Sequence, residues 1–205
     1  MKKPFAGATR SMLQVLLVAV GLGLLAVPPV VLALSDGGSS DALWNALRLA
    51  ALEAFTLVFI DIVTGSFRPF FVRTFKGRTV QRAHVAIASI GFAAGLAHGL
   101  MAFVFGISGY ATAAVWVGPA VLVVLVAVIA TASTRRRLRR SWRWIHRLNY
   151  LIFAAVMVHG LVLGYDLRNE VFLKSWFAIY AAVVLAGLSY RVITLLGRAS
   201  GGRSG

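Results

Sequence analysis

The chain has 205 residues, of which 60% are hydrophobic, and it contains no cysteine. The absence of cysteine excludes disulfides, thiol catalysis, cysteine-ligated iron–sulfur clusters and covalently attached c-type haem. The formal net charge of +15 raises the possibility of nucleic-acid binding. The basic residues lie mainly in short segments between apolar runs, however, and this pattern favours a basic collar on a membrane protein over RNA or DNA binding.

Six apolar runs follow one another along the chain, and each is close to the roughly 20 residues that cross a bilayer as a helix. They do not alternate apolar and polar residues as barrel strands do. The sequence therefore predicts an all-α membrane protein, a six-transmembrane-helix bundle in contact with membrane lipid. The predicted spans cover residues 11–34, 42–65, 84–105, 111–133, 146–165 and 175–196.

The first span leaves one alternative open. Pro28 and Pro29 are expected to kink or end its outer part. A cleavable signal peptide is the competing interpretation, with small residues near Val31 and Ala33 as the cleavage site. The apolar region exceeds the usual core of about 7–15 residues in a signal peptide, which favours a retained helix.

The distribution of basic residues predicts the orientation. Alternate loops on one side, together with both terminal segments, hold 18 of the 21 Lys and Arg residues. This bias predicts that both termini are cytoplasmic, in a bacterial inner membrane. The expected organisation is a cytoplasmic stub (residues 1–10), one six-helix domain (residues 11–197) and a short cytoplasmic tail (residues 198–205), without a nucleotide-binding module after the last span.

All four histidines fall in two spans that run in the same direction. His84 and His98 lie fourteen residues apart on the third span. His146 and His159 lie thirteen apart on the fifth. The members of each span are thus separated by roughly 20 Å along the helix axis, and the two spans place their histidines at matching depths.

This pattern suits two stacked haems, because imidazole is a favoured axial ligand of haem iron and facing helices in a bundle can each supply one. The alternative is that the histidines are interface residues, two of them at helix starts. The thirteen-residue spacing turns His146 about half a helical turn away from His159. An irregular first turn or a π-bulge is therefore expected near His146.

The segment SWRWIHRLNYLIFAAVMVHGLVLGYDL, with its W-x-x-x-H-x-L-x-Y pattern, resembles the ferric reductase-like transmembrane domain. The stretch HVAIASIGFAAGLAHGL after Arg82 is similar to the preceding ligand helix of that family, and the resemblance extends over about residues 43–191. The family includes ferric reductases, NADPH oxidases and the haem subunit of a bacterial methionine sulfoxide reductase system. That subunit typically has arginine at the position of His84, so the subgroup stays open.

The resemblance implies two b-type haems, with His84 and His146 as iron ligands of the inner haem, and His98 and His159 as ligands of the outer one. It also implies an oxidoreductase subunit that conducts electrons but lacks its own flavin and nicotinamide domain. The expected donor is a quinol, which adds a quinone as a candidate cofactor, or a separate cytoplasmic flavoprotein reductase. The expected acceptor outside is ferric iron, oxygen or a partner reductase.

Charged residues around the histidines are further candidates. Arg48 is expected to bind a propionate of the outer haem or to extend to a lipid headgroup. Arg82 and Arg147 are candidates for the inner propionates, or simply part of the basic collar. Glu53 and Asp61 share a face of the second span, as proton carriers at a quinol site or as neutral buried acids. The rival to the whole interpretation is a haem-free transporter or scaffold whose intramembrane charges line a polar path.

Overall fold

The computed structural model describes residues 7–35, 41–104, 112–139 and 141–201, with side chains up to residue 197. Within these ranges the regular structure is entirely helical. The helices are α1 (Gly7–Leu34), α2 (Ala42–Ser66), α3 (Arg68–Thr74), α4 (Gly77–Val104), α5 (Ala113–Ser133), α6 (Arg135–Leu138), α7 (Trp142–His146), α8 (Asn149–Leu163), α9 (Tyr165–Asn169) and α10 (Val171–Gly201).

Five helical segments of the described chain are long and apolar enough to cross a membrane: Gly7–Leu34, Gly77–Val104, Ala113–Ser133, Trp142–Leu163 and Val171–Gly197. Their surfaces are largely exposed apolar side chains, as expected for helices that face lipid. The prediction of an all-α, multi-pass membrane protein is therefore confirmed. The second predicted span, residues 42–65, forms the helix α2 but does not appear among these five.

Helix α2 lies at the centre of the bundle. It begins at Asp41, whose carboxylate accepts hydrogen bonds from the backbone N–H groups of Leu43 and Trp44 at 2.9 and 3.2 Å. Such a side chain satisfies N–H groups that the first turn leaves without partners. The helix packs against α1, α3, α4, α8 and α10. Enclosure by these neighbours buries much of α2, including its charged residues Arg48 and Asp61.

Stacked aromatic rings hold α2 against α8 and α10. Phe55 stacks on Phe153 of α8 and on Phe177 of α10, each with 4.7 Å between ring centroids. Phe59 stacks on Tyr180 at 3.9 Å. Because these rings are buried and close-packed, they fix the rotation of α2 about its own axis.

Helix α4 approaches the other side of α2 closely. A Cβ atom at Gly91 would lie only 3.0 Å from Cβ of Leu57, so a larger residue would push the two helices apart. This matches the use of small residues at helix crossings in membranes. Helix α4 packs most extensively on α2, and α8 packs most extensively on α5. The two histidine-bearing segments are therefore each held by a different neighbour.

Several boundaries differ from those expected. Helix α1 continues through Pro28 and Pro29 to Leu34, as the predicted span does. Of the two effects expected of the prolines, an early end is therefore wrong, and a kink stays a prediction. Helix α4 begins at Gly77 rather than at residue 84, because residues 77–83 are polar but still helical. The predicted loop at residues 106–110 and most of the loop at 35–41 lie outside the described residues.

Candidate paired-histidine site

The four histidines lie in two pairs, which we name by the sides predicted from charge. The inner pair is His84 on α4 and His146 at the end of α7. Their ring centroids are 6.0 Å apart and their planes are inclined by 70°. Both side chains are partly buried. The structure thus places two imidazoles, more than sixty residues apart in sequence, beside each other in the bundle.

Asp61 of α2 completes the inner pair. Its Oδ1 atom lies 2.6 Å from Nδ1 of His84, and the residue is only 7% exposed. The two atoms are in contact distance, but they do not have the alignment of a hydrogen bond. Within the described part of the chain, Asp61 Oδ1, His84 Nδ1 and His146 Nδ1 are buried without a hydrogen-bonding partner. Three unsatisfied polar atoms at one place are unusual in a native interior.

The outer pair, His98 on α4 and His159 on α8, is held by backbone carbonyl groups. Nδ1 of His98 is 3.2 Å from the carbonyl oxygen of Leu47, at the beginning of α2. Nδ1 of His159 is 2.8 Å from the carbonyl oxygen of Ala114, at the beginning of α5. The two histidines are close enough to interact electrostatically.

These contacts determine the tautomer of the outer histidines. A carbonyl oxygen only accepts, so each Nδ1 must donate its proton. In a neutral imidazole this leaves Nε2 unprotonated, with a lone pair available to a metal. In a histidine that binds a metal, the other ring nitrogen usually donates its N–H to a carboxylate or to a backbone carbonyl. Both outer histidines therefore have the arrangement expected of ligands.

The two pairs lie at different heights in the bundle. Leu47, which contacts the outer pair, and Asp61, which contacts the inner pair, are fourteen residues apart on α2. At 1.5 Å rise per residue, they are separated by roughly 20 Å along that helix. The spacing agrees with the spacing of the histidines along α4, which runs antiparallel beside α2.

The expected irregularity near His146 is confirmed. The segment breaks at Arg147 and Leu148, between α7 and α8. The backbone there makes i→i+3 hydrogen bonds from Arg147 to Trp144, Leu148 to Ile145, and Tyr150 to Arg147. A 3₁₀ turn rotates about 120° per residue rather than about 100°, so roughly four such residues add about 80°. This rotation removes much of the half-turn mismatch between His146 and His159, and a π-bulge is not needed.

Two glycines border the imidazoles. A Cβ atom at Gly118 of α5 would lie 3.3 Å from Cε1 of His159, a tight contact. A Cβ atom at Gly65 of α2 would lie 3.8 Å from Cε1 of His84, an ordinary contact. Sequence reasoning did not identify either glycine, or Asp61, as a neighbour of a histidine. The G-P pair at 118–119 was the only local signal, and it does not reveal which ring it faces.

Arg48 has a partner that the sequence did not suggest. Its guanidinium forms an ion pair with Asp166 of α9, with Nε 3.1 and 3.0 Å from the two carboxylate oxygens. It also donates to Asn45 and lies over the ring of Tyr165. Because Arg48 is only 4% exposed, the expectation of a lipid headgroup partner is wrong. Its role toward a propionate stays a prediction.

The remaining candidates lie near the inner pair or apart from both pairs. Arg82 is exposed, and Arg147 is exposed with its guanidinium 4.1 Å from the ring centroid of Trp144. Their roles toward propionates stay predictions. Glu53 is half-buried and lies two helical turns from Asp61. Within the part of the chain that the structure describes, it does not contact a histidine.

The two rings of the inner pair are close enough that one metal ion would reach both. A metal–imidazole bond is about 2 Å long, and the ring adds about 1 Å between its nitrogen and its centroid. The observed separation is 6.0 Å. The described residues contain no group of three or more His, Cys, Asp or Glu side chains that could hold a metal ion. A haem iron needs only axial ligands from the protein, since the porphyrin supplies the others.

The fold and the site together define a class: a helical, multi-pass membrane protein with two interior histidine pairs. In comparisons with known proteins, no family model and no curated protein matches this chain. The resemblance to the ferric reductase-like transmembrane domain therefore rests on the residues quoted above and stays a prediction.

Proposed function

We propose that this protein transfers electrons across a membrane through two b-type haems. His84 and His146 would bind the inner haem, and His98 and His159 would bind the outer haem. The proposal is carried by one observation: the Nδ1 atoms of three of the four histidines face an acceptor, which leaves Nε2 of each ring available to iron. The pairing of His84 with His146, and of His98 with His159, favours this over the alternative that the histidines are interface residues.

The protein residues hold the imidazoles in place. The carbonyl groups of Leu47 and Ala114 fix the outer rings, and Asp61 faces the inner one. Contacts of this type orient metal-bound histidines and select their tautomer. When bound, haem supplies a one-electron carrier at each level. The surrounding apolar helices exclude water and lower the local dielectric constant.

We take α2 as the sixth crossing, enclosed by its neighbours rather than exposed to lipid. Six crossings place both termini on the basic, cytoplasmic side of a bacterial inner membrane. The levels of Leu47 and Asp61, about 20 Å apart, then divide a hydrocarbon core of about 30 Å into short transfer distances. Helix α2 is needed for this role, because it contacts both pairs.

The direction and partners follow from the resemblance. Electrons would enter from a quinol or a separate cytoplasmic flavoprotein and leave to ferric iron, oxygen or a partner reductase outside. Arg82 and Arg147, exposed near the inner pair, suit the propionates of a haem or an acidic donor surface.

A visible spectrum of the purified protein tests the proposal. We expect a Soret band and a reduced α-band of the b type, with two haems per chain. His98→Ala and His159→Ala should each lower the haem content to about half, because each removes one of the two residues that would hold the outer haem.

Met101→Leu is the matched control, since Met101 lies three residues from His98 on the same helix and carries no imidazole. It should retain both haems. Wild-type protein without haem would contradict the proposal and favour a haem-free transporter or scaffold. Full haem content in both alanine variants would exclude the assigned outer ligands.

A further inference from the structure

The two histidine pairs differ in the charge of the group that faces Nδ1. At the inner pair, His84 faces the carboxylate of Asp61 at 2.6 Å. At the outer pair, His98 and His159 face neutral backbone carbonyl oxygens at 3.2 and 2.8 Å. A carboxylate therefore lies beside the inner ligand, whereas a neutral oxygen lies beside each outer ligand, so the two levels are not equivalent.

We propose that Asp61 is a positioning residue that gives the inner haem the lower reduction potential. This inference rests on the proposed function. An anionic acceptor at Nδ1 makes the imidazole a more basic ligand, which stabilises the oxidised iron, whereas a neutral carbonyl does so less. Electron transfer from the inner haem to the outer haem would then run from the lower to the higher reduction potential, which is the favourable direction.

Burial strengthens the effect of Asp61. Its side chain lies within the bundle, where a charge acts over a lower dielectric constant than in water. Arg191 of α10 is one opposing charge near the inner pair, together with the exposed Arg82 and Arg147. It donates to the carbonyl oxygen of Gly65 and interacts electrostatically with His146, but its side chain is exposed. Its positive charge is therefore screened more than the carboxylate of Asp61.

The test is a potentiometric titration of Asp61→Asn, which keeps the shape of the side chain and removes its charge. It is carried out in two backgrounds. The His98→Ala background retains only the inner pair. There we expect Asp61→Asn to raise the reduction potential by at least about 59 mV, which for one electron is a tenfold change in the equilibrium constant for reduction. His84→Ala retains only the outer pair, and there we expect no change.

Glu53→Gln is the matched control, because it neutralises a half-buried carboxylate two turns away on the same helix. It should leave both potentials unchanged. An unshifted inner potential in Asp61→Asn, or an equal shift in Glu53→Gln, would overturn the inference. If Asp61→Asn releases the inner haem, Asp61→Glu decides the question. If Asp61→Glu retains the inner haem at its wild-type potential, the inference is supported. If both variants lose the inner haem, the inference is overturned.

The outcomes separate this inference from the proposed function. Absence of haem from the wild-type protein refutes the function itself. Two haems whose inner potential does not respond to Asp61→Asn refute only the role of Asp61.

Discussion

The guanidinium of Arg48 and the carboxylate of Asp166 meet in the interior, where neither charge has access to water. Taking a single charge out of water is costly, and the opposite charge offsets that cost only while both are present. The pair joins α2 to the short helix α9, more than a hundred residues further along the chain. We therefore expect it to matter for stability far more than a surface ion pair would.

Asp166→Asn should destabilise the protein by about 3–5 kcal/mol, since it leaves Arg48 buried without a full counter-charge. Thermal unfolding in detergent measures this loss. The double variant Arg48→Met/Asp166→Leu removes both charges and should recover most of it. Arg168→Met, an exposed position on the same short helix, is the control and should be close to neutral.

The double variant also tests the untested role of Arg48 toward the outer haem. If the guanidinium binds a propionate, the double variant will fold but lose outer haem. If the guanidinium binds only groups of the protein, haem content will not change. Wild-type stability of Asp166→Asn would show that the ion pair is not structural.

At the scale of helices, α5 provides the surface on which His159 rests. The carbonyl of Ala114 holds Nδ1, and Gly118, one turn further on, leaves space for the ring. A methyl group at Gly118 would approach Cε1 to 3.3 Å, so the imidazole must shift by a few tenths of an ångström. The displaced ring would stay inside the folded bundle, but it would bind iron less well.

Gly118→Ala should therefore weaken binding of the outer haem by about 1–2 kcal/mol, from overpacking, which is a factor of roughly 5–30. Haem retention during dilution in detergent, read from the Soret band, measures it. Gly65→Ala is the matched control, because the added methyl group makes only an ordinary 3.8 Å contact with His84. Equal loss of haem in both variants would contradict a specific role for Gly118.

The helices themselves were largely predictable. Apolar runs of spanning length must be helical in a bilayer, so the runs predict the long helices and their approximate limits. The break at residues 147–148 was also predictable, because the thirteen-residue spacing does not fit a straight helix. The start of α4 at Gly77 was not predictable. The part of a membrane helix that extends into water is not marked by an apolar run in the sequence.

At the scale of the whole molecule, the matched depth of the histidines was predictable, because it follows from helix direction and rise per residue alone. Their neighbours were not. Which residue of α2 faces His84 depends on the rotation of α2, and the stacked rings of Phe55 and Phe59 set that rotation through packing with other helices. The eight-residue spacing of Glu53 and Asp61 indicates a shared face without showing that Asp61 alone contacts a histidine.

The number of crossings depends on α2, and the absence of cysteine makes it directly measurable. If α2 crosses the membrane, Ser35 before it and Arg78 after it lie on opposite sides. Single-cysteine variants at these positions should differ in their reaction with an impermeant thiol reagent. The reagent should label Ser35→Cys in intact cells, and it should label Arg78→Cys only after the cells are opened. Asn169→Cys and Arg137→Cys are the matched outer and inner controls, both at exposed positions. Labelling of Ser35→Cys and Arg78→Cys from the same side would contradict six crossings. It would also place the two histidine pairs at depths that no longer follow from the direction of the helices.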